Sequence, residues 1–184
     1  MMEIAESSIQ RLRRHGLLER EKLVLDLGDG SFVRQQDGGS IPFKQFLEEH
    51  QMCYVDVLDV ISVNGQKGID IDTDIHGQAY PLILDYGTTT VMDELYECFK
   101  MINELCSVGG IMVHELPQSV VVSDDGNHAV SREFFKELSQ SQGYKIHELR
   151  EDHKNGLVCA VLEKTTPDPF VDSDDFDEFS FYSK

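Results

Sequence analysis

The residues best suited to chemistry in this chain are carboxylates that close short apolar runs. Leu23-Val24-Leu25-Asp26 leads into Leu27-Gly28-Asp29-Gly30-Ser31, an apolar run ended by an acid and followed by alternating glycines. This pattern predicts a buried strand with a tight turn after it, where glycine accepts backbone angles that other residues resist. In a parallel α/β sheet the carboxyl end of such a strand is where a ligand lies, because the turn lets the backbone approach it closely. The ending recurs. Cys53 to Asp59 and Tyr80 to Asp85 are β-forming runs that stop at a carboxylate, and Asp70-Ile71-Asp72-Thr73-Asp74 alternates with the period of a strand. Asp26, Asp59, Asp74 and Asp85 therefore sit at the ends of successive expected strands, and only that edge of a parallel sheet forms a ligand crevice. The D-x-D-x-D spacing is not a calcium loop, since Ile75 and Pro81 stand where Gly and Glu are needed.

The elements that must position these groups follow from periodicity and caps. A short helix over 7–15, carrying Ile9 and Leu12 and stopped by Gly16, precedes the first strand. Phe32 to Gly39 reads as irregular. Ser40-Ile41-Pro42 opens a helix, with a capping hydroxyl, a proline in the first turn and Phe43, Phe46, Leu47 and His50 on one face. Val63 to Gly68 is a turn-rich connection. Met92, Leu95, Tyr96, Phe99, Ile102 and Leu105 recur at helical spacing up to Cys106, and Val108-Gly109-Gly110 closes that helix ahead of a fifth strand over 111–116. A helix from Ser131 to Gln142 stops at Gly143, and runs at 144–149 and 157–163 flank a polar turn in the manner of a hairpin. Residues 1–164 thus form one α/β domain. The segment 165–184 differs in kind: Asp168, Asp172, Asp174, Asp175, Asp177 and Glu178 interleave with Phe170, Phe176, Phe179, Phe181 and Tyr182, a composition that suits either a mobile tail or a docking segment, on the parent domain or on a partner protein.

Composition narrows the partners. A net charge of −18 repels phosphate backbones over most of the surface, which argues against nucleic acid as the main partner. The one basic cluster, Arg11, Arg13, Arg14, Arg20 and Lys22, reads as a solvated helix face. No apolar run approaches the ~20 residues of a membrane helix. The start lacks the basic-then-apolar pattern of a secretory signal. Cys53, Cys98, Cys106 and Cys159 are scattered, with no metal-ligand spacing, so they are expected to be free thiols in a reducing compartment such as the cytoplasm, and no metal site is expected.

The order of these segments resembles the class I S-adenosylmethionine-dependent methyltransferases, over residues 7 to 164. Asp26, Gly28 and Gly30 match that family's first motif and Asp59 its second. Gly68-Ile69-Asp70 to Asp74-Ile75, Asp85-Tyr86-Gly87-Thr88 and Val108-Gly109-Gly110 are similar to small bacterial and phage-type members. The resemblance implies a Rossmann-like seven-stranded sheet in the order 3-2-1-4-5-7-6, with strand 7 antiparallel and helices on both faces. It also implies S-adenosylmethionine as cofactor, with S-adenosylhomocysteine as product. Asp59 would accept from both ribose hydroxyls, Asp26, Gly28, Asp29 and Gly30 would line the methionine part, Asp74 and Ile75 would meet the adenine, and Asp85, Tyr86 and Gly87 would line the cleft. The chain departs from the family at Phe32, where a third glycine is usual, and at Thr89-Thr90-Val91, where relatives often carry a Glu-His pair.

Methyl transfer is an in-line displacement in which the protein positions the acceptor and can remove its proton. The expected bases are His114 and Glu115, at the end of the fifth strand, and His128 in the loop after it. Strand alternation puts His114 and Glu115 on opposite faces. The expected acceptor is a small metabolite- or sugar-like molecule. The alternative is a non-catalytic interaction subunit of the same fold, suggested by the altered glycine turn, the missing pair and the acidic-aromatic tail. A nicotinamide-binding domain is disfavoured because Val33 occupies the third glycine position of G-x-G-x-x-G.

Overall fold

The computed structural model describes residues 3–4, 13–16, 22–28, 31–33, 40–42, 45, 53–58, 60–63, 66–69, 79–118 and 128–181. Its strands, in chain order, are β1 (Glu3–Ile4), β2 (Lys22–Leu27), β3 (Ser31–Val33), β4 (Ser40–Pro42), β5 (Cys53–Leu58), β6 (Val60–Val63), β7 (Gln66–Ile69), β8 (Tyr80–Asp85), β9 (Cys106–Pro117), β10 (Lys145–Asp152) and β11 (Leu157–Glu163). The helices whose full span is described are α1 (Leu95–Leu105), α2 (Arg132–Gln142) and the short α3 (Ser173–Asp177), with a 3-10 turn at Thr89–Val91.

The main sheet has six strands in the order β5-β2-β8-β9-β11-β10. Strands β5, β2, β8 and β9 run parallel, and β11 is antiparallel to both β9 and β10. The expected seven-stranded Rossmann-like sheet is therefore not what forms among the described residues. The strand anticipated over 70–74 lies outside them. Helices on both faces are likewise not seen among the described residues. α1 and α2 pack on the same face, with Phe99 and Phe134 rings 5.1 Å apart.

Three local expectations change for identifiable reasons. Ser40–Pro42 is a strand, pairing antiparallel with Ser31–Val33, because a proline pushes the residue before it toward extended angles and so takes Ile41 out of a helical start. Val63, Gln66, Lys67 and Gly68, read as part of a turn-rich connection, lie instead in the antiparallel strands β6 and β7. The fifth expected strand begins at Cys106 rather than Ile111: the glycines read as a helix stop instead make an irregular register between β8 and β9. A β-carbon at Gly110 would press on the Ser107 and Tyr80 carbonyls and the Cys106 sulfur.

Alternation along the strands sorts the core. Leu25, Leu27, Ile83, Met112, Leu116, Val158, Ala160 and Leu162 face the helices and meet Phe99, Ile102, Phe134, Phe135 and Leu138. Val24, Leu82, Leu84, Val113 and Val161 turn to the other face and are buried too. α2 has the start and stop its sequence specifies: the Ser131 hydroxyl accepts from the Phe134 amide, and Gly143 takes a left-handed conformation at φ 64°. The C-terminal segment packs on its own domain. Phe176 is fully buried among Phe99, Phe134 and Tyr96, and Phe181 stacks on Phe134 at 4.9 Å. The acids of that segment lie outside, with Asp168, Asp172, Asp174, Asp175, Asp177 and Glu178 all exposed. At the far edge of the sheet, His15 and Arg14 reach Glu148 of β10 at 2.9 and 3.8 Å.

Candidate functional site

The strand order reverses at β2, which has β5 on one side and β8 on the other. Connections from such a point leave in opposite directions, and a crevice opens outside the carboxyl ends of the two strands. Those ends are Leu27-Gly28 and Asp85-Tyr86-Gly87-Thr88. Gly28 and Gly87 have φ of 92° and 95°, left-handed angles that favour glycine. The two ends are tied together. The Thr88 hydroxyl donates to the Leu27 carbonyl at 2.5 Å and fills the space that a β-carbon on residue 28 would need. A protein contact thus demands the first glycine of the motif, in addition to any ligand's approach.

Asp85 organises the turn. It pairs across the sheet with Leu27 and His114, and its carboxylate points to the helix face. Oδ2 accepts from the Thr89 hydroxyl at 2.8 Å and from His114 Nδ1 at 2.9 Å, while Oδ1 accepts from the Thr89 amide at 3.3 Å. These donors satisfy a group with no exposed surface, which would otherwise carry a heavy desolvation cost. Because a carboxylate oxygen accepts, the imidazole donates from Nδ1. The ring lies between Phe99 and Phe135, with centroids at 5.5 and 5.3 Å, and is 1% exposed. A third tie comes from the loop after β9, where the His128 amide donates to the Thr90 carbonyl at 2.7 Å.

Gly28, Asp85, Tyr86, Gly87, His114 and His128 thus converge on one edge, with Asp85 and His114 in direct contact. Asp26 and Glu115 are buried on the opposite face from Asp85 and His114. Asp29, Gly30, Asp59, Asp74 and Ile75 lie outside the described residues. Sequence reasoning missed the work of Thr88 and Thr89. The signal available was three hydroxyl-bearing β-branched residues directly after a glycine, a sequence better suited to a side-chain-bonded turn than to a helix start.

At Cys98 and Cys106 burial disfavours the thiolate, the nucleophilic form. Burial, reinforced by the Asp85 charge, pushes Cys98 up to about 12, and burial takes Cys106 to about 12 against a smaller opposing effect of Lys164. Among the described residues no group of three or more His, Cys, Asp or Glu side chains is placed to hold a metal ion. Comparison with protein-family models and with curated proteins finds no match, so the resemblance rests on the residues of this chain.

Proposed function

We propose that this chain transfers a methyl group from S-adenosylmethionine to a small-molecule acceptor. The observation that supports this reading is the switch point between β2 and β8, with a left-handed glycine at each strand end. That arrangement fits a nucleoside-bearing cofactor, because backbone without a β-carbon can be approached from the crevice side. When bound, the cofactor supplies an electrophilic methyl on a sulfonium. Gly28 and Gly30 would hold its methionine part, Asp59 its ribose, and Asp74 and Ile75 its adenine, as the resemblance implies. His114 holds Asp85 and the turn in place. His128, half-buried beside Thr90, has the access needed to take a proton from an acceptor.

The second reading, a non-catalytic interaction subunit, draws support from the near-complete burial of His114 and from the Thr88 hydroxyl occupying the space beside Gly28. Calorimetric titration with S-adenosylhomocysteine separates the two. The methyl-transfer reading expects binding by the wild type that Asp59→Ala abolishes. An intact protein that binds none would favour the interaction subunit.

A further inference from the structure

Two routes connect the C-terminal segment to the turn at 85–91. The first is aromatic. Phe181 stacks on Phe134 at 4.9 Å, Phe176 lies 6.0 Å from Phe99, and Phe99 lies 5.1 Å from Phe134 and 5.5 Å from His114. His114 in turn holds Asp85 at 2.9 Å, and Asp85 holds Thr89 at 2.8 Å. The second route is hydrogen-bonded. The Ser131 hydroxyl donates to the Ser180 carbonyl while it caps α2. The residues just before it tie back to the sheet and the turn, Val130 N–H to the Pro117 carbonyl at 3.1 Å and His128 N–H to the Thr90 carbonyl at 2.7 Å. Glu137 of α2 accepts from the Ser180 amide and hydroxyl at 2.6 and 3.0 Å. Close-packed interiors transmit displacement rather than absorb it, and both routes end on the same turn.

We propose that the segment Phe170 to Phe181 is a positioning element for the crevice. Docked, it holds α1 and α2 against His114 and so sets the geometry of the Asp85–Val91 turn. Undocked, it releases that turn and weakens whatever the crevice binds. The affinity half of this statement rests on the methyl-transfer reading. The effect on the turn does not.

The test compares full-length Phe181→Ala, at the tail contact, with Val161→Ala, on the opposite face of the sheet. Two quantities are read: amide hydrogen exchange and affinity for S-adenosylhomocysteine. The amides of Thr90, Val91 and Met92 are bonded to the carbonyls of Gly87, Thr88 and Thr89, and they report the turn directly. Phe181→Ala should speed their exchange by roughly two- to thirtyfold, the span of coupling through packed networks, more than it speeds the amides of β11. Val161→Ala should show no such preference. Affinity for S-adenosylhomocysteine should fall in Phe181→Ala by a similar factor. Turn amides that respond no more than those of β11 would overturn the proposal. A wild type that binds no S-adenosylhomocysteine, yet shows the selective exchange, would sink the methyl-transfer reading and leave the positioning role standing. Should Phe181→Ala fail to fold, Glu137→Ala removes the half-buried anchor of Ser180 and carries the same comparison.

Discussion

At Gly28 the backbone runs at φ 92° and the Thr88 hydroxyl stands where a β-carbon would be. Both conditions exclude a side chain, and they can be separated by mutation. Gly28→Ala should cost about 2–4 kcal/mol, from left-handed strain plus the overlap with Thr88. Thr88→Ala alone should cost about 1–2 kcal/mol through the hydrogen bond lost at Leu27. The double variant should then be less damaged than the sum, because the overlap has gone while the strain remains. Denaturant unfolding measures all three, and strict additivity would refute the contact. The sequence singled out Gly28, Asp85 and His114 as candidate site residues one by one. It could not pair the last two, since they lie on different strands and meet only through the parallel register of β8 and β9.

Among the elements, the hairpin of β10 and β11 provides the clearest pH dependence. Hydrogen bonds from His147 and then Lys145, at 2.8 and 3.2 Å, hold the Glu163 carboxyl below its ordinary value of 4.5. A lowered folded value means that the stabilisation is present above 4.5 and is lost as pH falls through the folded value. The melting temperature of Glu163→Gln should lie below that of the wild type near neutral pH, and the two should converge in acid. A gap that persists undiminished into strong acid would show that the effect is not ionic. The hairpin and α2 were legible from pattern and caps, because their stabilising contacts are local. Ser40–Pro42 and the start of β9 were not. Each has a glycine or proline whose meaning depends on the strand lying beside it.

For the whole molecule, −18 charges and an outer layer of tail acids impose self-repulsion on the compact state. Raising sodium chloride to about 0.5 M, where screening acts within a few ångströms, should raise the melting temperature. A fall would mean that the surface pairs, such as Arg14 with Glu148 and Lys145 with Glu163, outweigh the repulsion. By composition the tail read as either mobile or docking, and the packing of its rings on the domain decided between them. The groove it fills is made jointly by α1 and α2, and neither helix specifies it alone.

The sequence by itself determined the carboxylate that closes β8, the left-handed glycine after β2, the capped helix α2 and the closing hairpin, because each depends on neighbours in the chain. Only the tertiary structure decided the order of the six described strands in the main sheet, that α1 and α2 share one face, that Asp85 turns inward to hold His114, and that the acidic tail buries its rings on its own domain. Those outcomes depend on contacts between residues far apart in sequence. Local propensity carries no information about such contacts, and they arise only when the packed core settles which faces meet.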